Sequence, residues 1–272
     1  MSSLHREAHF EAEICQHLGA NGWLYAEEAA SGFDTASGLY RPDLQAWLQA
    51  SQPESLQRLE KTHGAQLPQV LAERIRKSLN ERGTLEVLRR GVDMLGLKEP
   101  LQLAQFKPAL GLNPAIQARY EANQLRVLRQ VHHSPNHPKE AVDLVLCLNG
   151  VPLATAELKS DFTQSVHDAV DQYRFDRHPA PKGGLAEPVL GFPGGALVHF
   201  AVSQSEVMMA TRLAGPATQF LPFNRGNQGG AGNAPNPQGF ATAYLWEEVW
   251  ARESWLDILH RYLVGKRDEK KQ

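Results

Sequence analysis

The chain has no excess of positive charge. Its 28 Lys and Arg stand against 30 Asp and Glu, a formal net charge of −2. Bulk electrostatic attraction to nucleic acid is therefore excluded, and any such role has to rest on local patches or on partner subunits. Cysteine is scarce. Cys15 and Cys147 lie far apart, each inside an apolar pattern, which excludes a disulfide framework and reads as buried thiols in a reducing compartment. No apolar run is long enough to span a bilayer, and MSSLHREAHFEAEI carries no apolar signal core. A cytoplasmic protein without membrane contact is the expectation. A G-x-x-x-x-G-K-[ST] phosphate loop is missing as well. Gly229-Gly230-Ala231-Gly232 lacks the Lys and the Ser or Thr, so it reads as a flexible loop and not a nucleotide cradle.

What is present concentrates in Ala141 to Lys159, AVDLVLCLNGVPLATAELK. It reads as two apolar strands joined at Asn149-Gly150. Asp143 interrupts the first, and the triplet Glu157-Leu158-Lys159 ends the second. A carboxylate between Val142 and Leu144, in a run that otherwise reads as core, needs a partner, because burying it alone is costly. Mg²⁺ takes hard oxygen ligands and keeps several waters. Asp143 and Glu157 can supply two carboxylates, with the Leu158 carbonyl as a third oxygen. Lys159, on the same strand face as Glu157, would hold the attacking water and offset charge on a pentavalent phosphate. The residues thus fit a metal-dependent phosphodiesterase. Parity adds a condition. A strict two-residue Asn-Gly turn sets Asp143 opposite Ala156, which places Asp143 and Glu157 on opposite faces. The site therefore requires an irregular pairing between Leu148 and Leu153, and Gly150 is the expected position of a bulge.

Around the hairpin, His5–Leu18 has helical spacing and Trp23-Leu24-Tyr25 suggests a short strand. Pro42–Ala50 reads as helix, and Pro53–Leu97 as a helical segment broken at Gly64 and Gly83. Leu101–Ala109 and Gln124–Val131 read as strands, with His132–Lys139 a polar loop between the latter and the hairpin. Thr163 is the expected cap of a helix with the stripe Val166, Ala169, Val170, Tyr173. Ala196–Val202 and Val207–Thr211 read as paired strands, 224–239 as loop, and Leu245–Leu263 as a closing helix. The expectation is an α/β domain with a mixed central sheet. It spans 1–265, with the helical segment 53–97 inserted, a core at 120–180, and 266–272 a charged tail.

The hairpin resembles the PD-(D/E)xK nuclease superfamily. The chain looks more closely like the N-terminal nuclease domain of the restriction (R) subunit of type I restriction-modification enzymes. HFEAEI, ARYEANQLRVLRQV, AVDLVLCLNGVPLATAELKS, DAVDQYRFDR, LVHFAVSQSEVMMATRLAG, FLPFNRG, GAGN and TAYLWEEVW carry the likeness. It implies a restriction-endonuclease-like sheet flanked by helices. It makes Asp143 and Glu157 the motif acids, Lys159 its lysine, and Glu11 a first-helix acid bordering the metal site. Gln172 and Tyr173 fall where relatives carry a glutamine four residues before a tyrosine. Here Ala169 holds that glutamine's position, so two readings stay open for Tyr173, core or site. Gln172, Arg174 and Arg177 are the candidates for DNA phosphate. The resemblance further implies Mg²⁺, replaceable by Mn²⁺, double-stranded DNA as substrate, and modification and specificity subunits as partners. ATP would be needed only by a motor region outside this chain, of which the chain would be the N-terminal fragment. Two other functions compete, a stand-alone repair nuclease of the same superfamily and a non-catalytic module docking DNA or the modification complex.

The remaining signals have plainer expectations. His132, His133 and His137 lack the further ligands of a zinc site and read as a surface loop. Trp246, Trp250 and Trp255 are spaced for packing more than for base stacking. Arg74, Arg76, Lys77, Arg89 and Arg90 read as solvated faces.

Overall fold

The computed structural model describes residues 3–162, 164–180, 184 and 186–265. Six strands build one mixed sheet: β3 (Leu125–His132), β4 (Ala141–Leu148), β5 (Val151–Leu158), β6 (Val198–Val202), β7 (Val207–Ala210) and β8 (Leu221–Pro222). They lie side by side in sequence order. Every neighbouring pair is antiparallel except β5 with β6. That parallel step needs a crossover, and α7 (Val166–Asp171) lies in it. A separate two-stranded ribbon joins β1 (Phe33–Asp34) to β2 (Leu39–Tyr40).

Both faces of the sheet are buried. On one, α1 (Ser3–Ala20) lays Phe10, Ile14 and Leu18 against Leu144, Leu146, Ala154 and Ala156, continuous with the core of α2 (Arg41–Ser51), α3 (Pro53–His63), α4 (Leu67–Arg82) and α5 (Thr84–Arg90). On the other, Val166, Ala169, Val170 and Tyr173 pack on Leu128, Val145 and Cys147. This is an α/β fold with helices on both sides of a mixed sheet, as the sequence suggests.

The irregular pairing demanded by parity is present, at a different residue. Leu148↔Val151 and Cys147↔Pro152 make a regular two-residue turn, and the register then shifts to Leu146↔Ala154. Leu153 is the extra residue, so the bulge is not at Gly150. The turn itself is regular because both of its residues adopt positive φ, Asn149 at 50° and Gly150 at 81°, the primed geometry of tight hairpins. Gly150 is required there on a second count. A Cβ on it would lie 2.2 Å from the Tyr40 carbonyl oxygen, where the Tyr40 N–H donates to the Gly150 carbonyl at 2.8 Å. Val151 and Leu153, and beyond the bulge Ala154, Ala156 and Leu158, enter the α1-side core. Thr155 and Glu157 are left on the α7 face.

Several expectations give way to side-chain competition. Leu101–Ala109 is no strand. Only Leu101 bridges, to Val92. The Gln102 N–H donates to Gln52, its carbonyl accepts from Trp47, and the Leu103 carbonyl accepts from Asn149. Trp23–Tyr25 contributes one parallel bridge, Leu24↔Arg126. The closing helix is interrupted at Trp250-Ala251, between a π-helical segment, Leu245–Val249, and α8 (Arg252–Asp257), which runs on into a second π-helical segment, Ile258–Tyr262. The Trp23 indole takes the Trp250 carbonyl at 2.8 Å, and Ala251 is extended. The three tryptophans are core, with Trp250 edge-on to Phe200. α6 (Pro114–Glu121) starts at the side-chain cap Asn113. The cap expected at Thr163 and the tail 266–272 lie outside the described residues; Ser165 and Asp168 form the capping box of α7.

Candidate active site

The site sits at one end of the sheet, where β4 begins and β5 ends. The bulge at Leu153 resets the register to Leu144↔Ala156, and continuing it sets Asp143 across from Glu157, on the same face. Asp143 is half-buried and Glu157 fully buried. One Asp143 oxygen accepts the Leu158 N–H at 2.7 Å, and the other accepts the Gln130 amide at 3.0 Å. In an extended strand a residue's N–H and C=O point to the same side. The Leu158 carbonyl therefore lies towards β4 too.

Arg177 closes the site from behind. Its Nε donates to one Glu157 oxygen at 2.7 Å, and its guanidinium also donates to the Ala141 carbonyl at 2.6 Å. The second Glu157 oxygen is buried with no hydrogen-bond partner among the described residues. Burial, followed by the neighbouring Asp143 charge, pushes the Glu157 carboxyl well above the usual range, and Arg177 opposes both.

α1 brings two more acids, one helical turn apart. Glu11 is buried, ion-paired to Arg129 at 2.9 Å and bonded to the Gln130 amide at 2.8 Å. Burial raises its pKa, against Gln130 and Arg129. Glu7 accepts from the Lys159 ammonium at 3.1 Å. Glu7, Glu11 and Glu157 thus each have a cationic partner, whereas Asp143 has only neutral donors among the described residues.

The sequence matches the family described as Type I restriction enzyme R protein N terminus over residues 6–218. The chain belongs to that family. Comparison with curated proteins found no match. The matched span contains Glu7, Glu11, Gln130, the whole hairpin and Arg177.

Within this R-protein N-terminal region, the structure brings Asp143, Glu157 and Leu158 together and sets Lys159 and Glu11 beside them. The proposed DNA contacts fare differently. Tyr173 is fully buried, its hydroxyl 2.7 Å from Thr155 Oγ1, so it is core and does not reach DNA. Arg177 is also buried, because Glu157 needs its charge. Gln172 and Arg174 remain partly exposed, Arg174 donating to the Thr218 carbonyl at 3.2 Å. Gln130, Glu7 and the structural role of Arg177 escaped the sequence reading. Their only signal there was that Glu7 and Glu11 are four apart on one helix face.

Other candidates resolve as structure. His133 and Ser134 are buried, not surface. Glu187 accepts from Ser134 at 2.6 Å and Asn136 at 2.9 Å, with His133 3.6 Å away. Arg76 donates to the carbonyls of Pro188 and Gly194, and Arg89 to those of Leu259, His260 and Leu263. Neither is a solvated face. Among the described residues no cluster of three or more His, Cys, Asp or Glu could hold a metal ion.

A buried imidazole also lies on the α7 face. His199 Nδ1 lies 2.8 Å from Thr155 Oγ1, beside Tyr173, and burial, with a smaller contribution from His133, pushes its pKa from 6.5 down to about 3. The folded imidazole stays neutral where the unfolded one protonates. Stability is therefore expected to fall as pH drops below 6.5 towards about 3, by up to about 1.4 kcal/mol per pH unit from this group. Urea titrations of His199→Gln at several pH values should show a flatter dependence than wild type.

Proposed function

We propose that this chain is the Mg²⁺-dependent endonuclease domain of a type I restriction enzyme R protein, hydrolysing phosphodiester bonds of double-stranded DNA. The observation that carries the reading is the register shift at Leu153, which turns Asp143 and Glu157 to one face, where Asp143 has only neutral donors among the described residues. The donor set fits the ion. Asp143, Glu157 with its unpartnered oxygen, and the Leu158 carbonyl would hold it, and Mg²⁺ needs only one or two carboxylates with water completing its shell. Mn²⁺, of similar ligand preference, would substitute. When bound, such an ion lowers the pKa of its water and polarises the phosphoryl oxygen.

The chain's own groups supply the rest. Lys159 would hold the attacking water and offset charge on the phosphate, after exchanging Glu7 for substrate. Glu11 borders the site and, with Arg129, sets its electrostatic floor. Gln172 and Arg174 are the remaining candidates to hold DNA phosphate on the α7 side. Sequence reading would belong to the specificity subunit, methylation to the modification subunit, and ATP use to a motor region beyond these residues.

Family membership favours the restriction context over a stand-alone repair nuclease. A docking module is the second reading, favoured by the direct Arg177–Glu157 ion pair, which accounts for that acid without any metal. The two part on one experiment. The full R protein, assembled with its partner subunits, is assayed for DNA cleavage with Mg²⁺, with Mn²⁺ and with chelator, alongside Lys159→Ala. Cation-dependent cutting lost in the variant supports catalysis. Cutting unchanged in the variant supports docking.

A further inference from the structure

We propose that Gln130 is a positioning residue of the cation site, its side-chain amide tying Glu11 to Asp143 and holding the Asp143 carboxylate in the attitude that binds metal. The inference rests on the reading of Asp143 and Glu157 as metal ligands.

Gln130 has φ 51°, a left-handed conformation in mid-strand. A non-glycine residue is strained there, and such residues cluster at functional sites. No inserted residue forces the kink. The pairs on either side, Arg129↔Leu144 and Val131↔Val142, keep one register, and Gln130 falls opposite Asp143. The kink has a consequence at the site. One amide nitrogen donates to Glu11 at 2.8 Å and to Asp143 at 3.0 Å, using its two N–H groups on two carboxylates from different elements.

The chemistry of the donor matters. Asp143 is pinned through both oxygens, by Gln130 on one and the Leu158 N–H on the other. A carboxylate has about four lone-pair sites, so two bonds leave room for a cation. Both donors are neutral. An Arg or Lys at position 130 would orient Asp143 equally well and cancel the charge a cation needs, as Arg177 partly does at Glu157. An amide orients and leaves the charge in place. Partners of this kind fix first-sphere ligands in metal sites, and their loss typically weakens binding about 10–100-fold.

The test is Mn²⁺ titration by calorimetry on the folded, DNA-free chain, with wild type, Gln130→Met, Gln130→Gly and Asp143→Asn. Gln130→Met keeps side-chain bulk without the donors, and Gln130→Gly also removes the backbone strain. Both are expected to bind Mn²⁺ about 10–100-fold more weakly, while metal-free melting of the glycine variant stays level or rises. Wild-type affinity in both variants would overturn the proposal and leave Gln130 only a shaper of the strand. Tighter binding would overturn it too, making the amide a competitor of the cation. If wild type binds no Mn²⁺, or Asp143→Asn binds as well as wild type, it is the metal-site reading that fails.

Discussion

Lys159→Ala is expected to lower DNA cleavage by the assembled enzyme about 10²–10³-fold, the usual loss when one preorganised charge is removed from a reacting centre. Lys159 is almost buried, and its described partner is Glu7 at 3.1 Å. An ammonium in such a place is costly to keep for structure alone. Removing it leaves Glu7 without that counter-charge, and because Glu7 keeps some contact with water the loss of stability should stay below the roughly 3–5 kcal/mol of a fully buried pair. DNA binding and association with the other subunits should be unchanged. Initial rates of strand cutting, read with DNA retention and subunit assembly on the same preparations, check the expectation. Full activity in the variant would contradict a catalytic role for Lys159 and favour the docking reading.

Arg177→Met carries the largest effect on stability. Arg177 and Glu157 are both buried, 2.7 Å apart, with Asp143 close enough to raise Glu157 further. Removing one member of such a pair typically destabilises by about 3–5 kcal/mol, because the other charge stays buried without compensation. The Ala141 carbonyl loses its donor at the same time. Adding Glu157→Gln to Arg177→Met should recover part of the loss, since the stranded charge is then gone. Urea unfolding of the two single variants and the double variant, without metal, measures the coupling. Additive losses would mean that the pair is not coupled, contrary to the geometry.

The hairpin was legible because its signals are local. Asn149-Gly150 sets the turn, and two eight-residue apolar runs flank it. Even the bulge could be foreseen, from the condition that two acids share a face. Its position could not, since nothing in Val151-Pro152-Leu153 distinguishes which residue is left unpaired once Asn149 takes positive φ. Arg177 was misjudged for a different reason. In QYRFDR it looks like part of an exposed basic run, and its partner is 20 residues away on an interior strand of the sheet. Gln130 sits in an alternating strand pattern, where its left-handed backbone leaves no trace. Leu101–Ala109 failed because its backbone partners are the side chains of Gln52, Trp47 and Asn149, which propensity does not see. The closing helix failed likewise, at a carbonyl claimed by Trp23.

The central claim, that Asp143 and Glu157 bind one divalent cation, meets its most direct test in anomalous diffraction from a crystal soaked in Mn²⁺. The account expects a peak within ligand distance of a carboxylate oxygen of each, and its loss in Asp143→Asn. A wild-type map at saturating Mn²⁺ with no peak there, and with Glu157 still held by Arg177 alone, would contradict it.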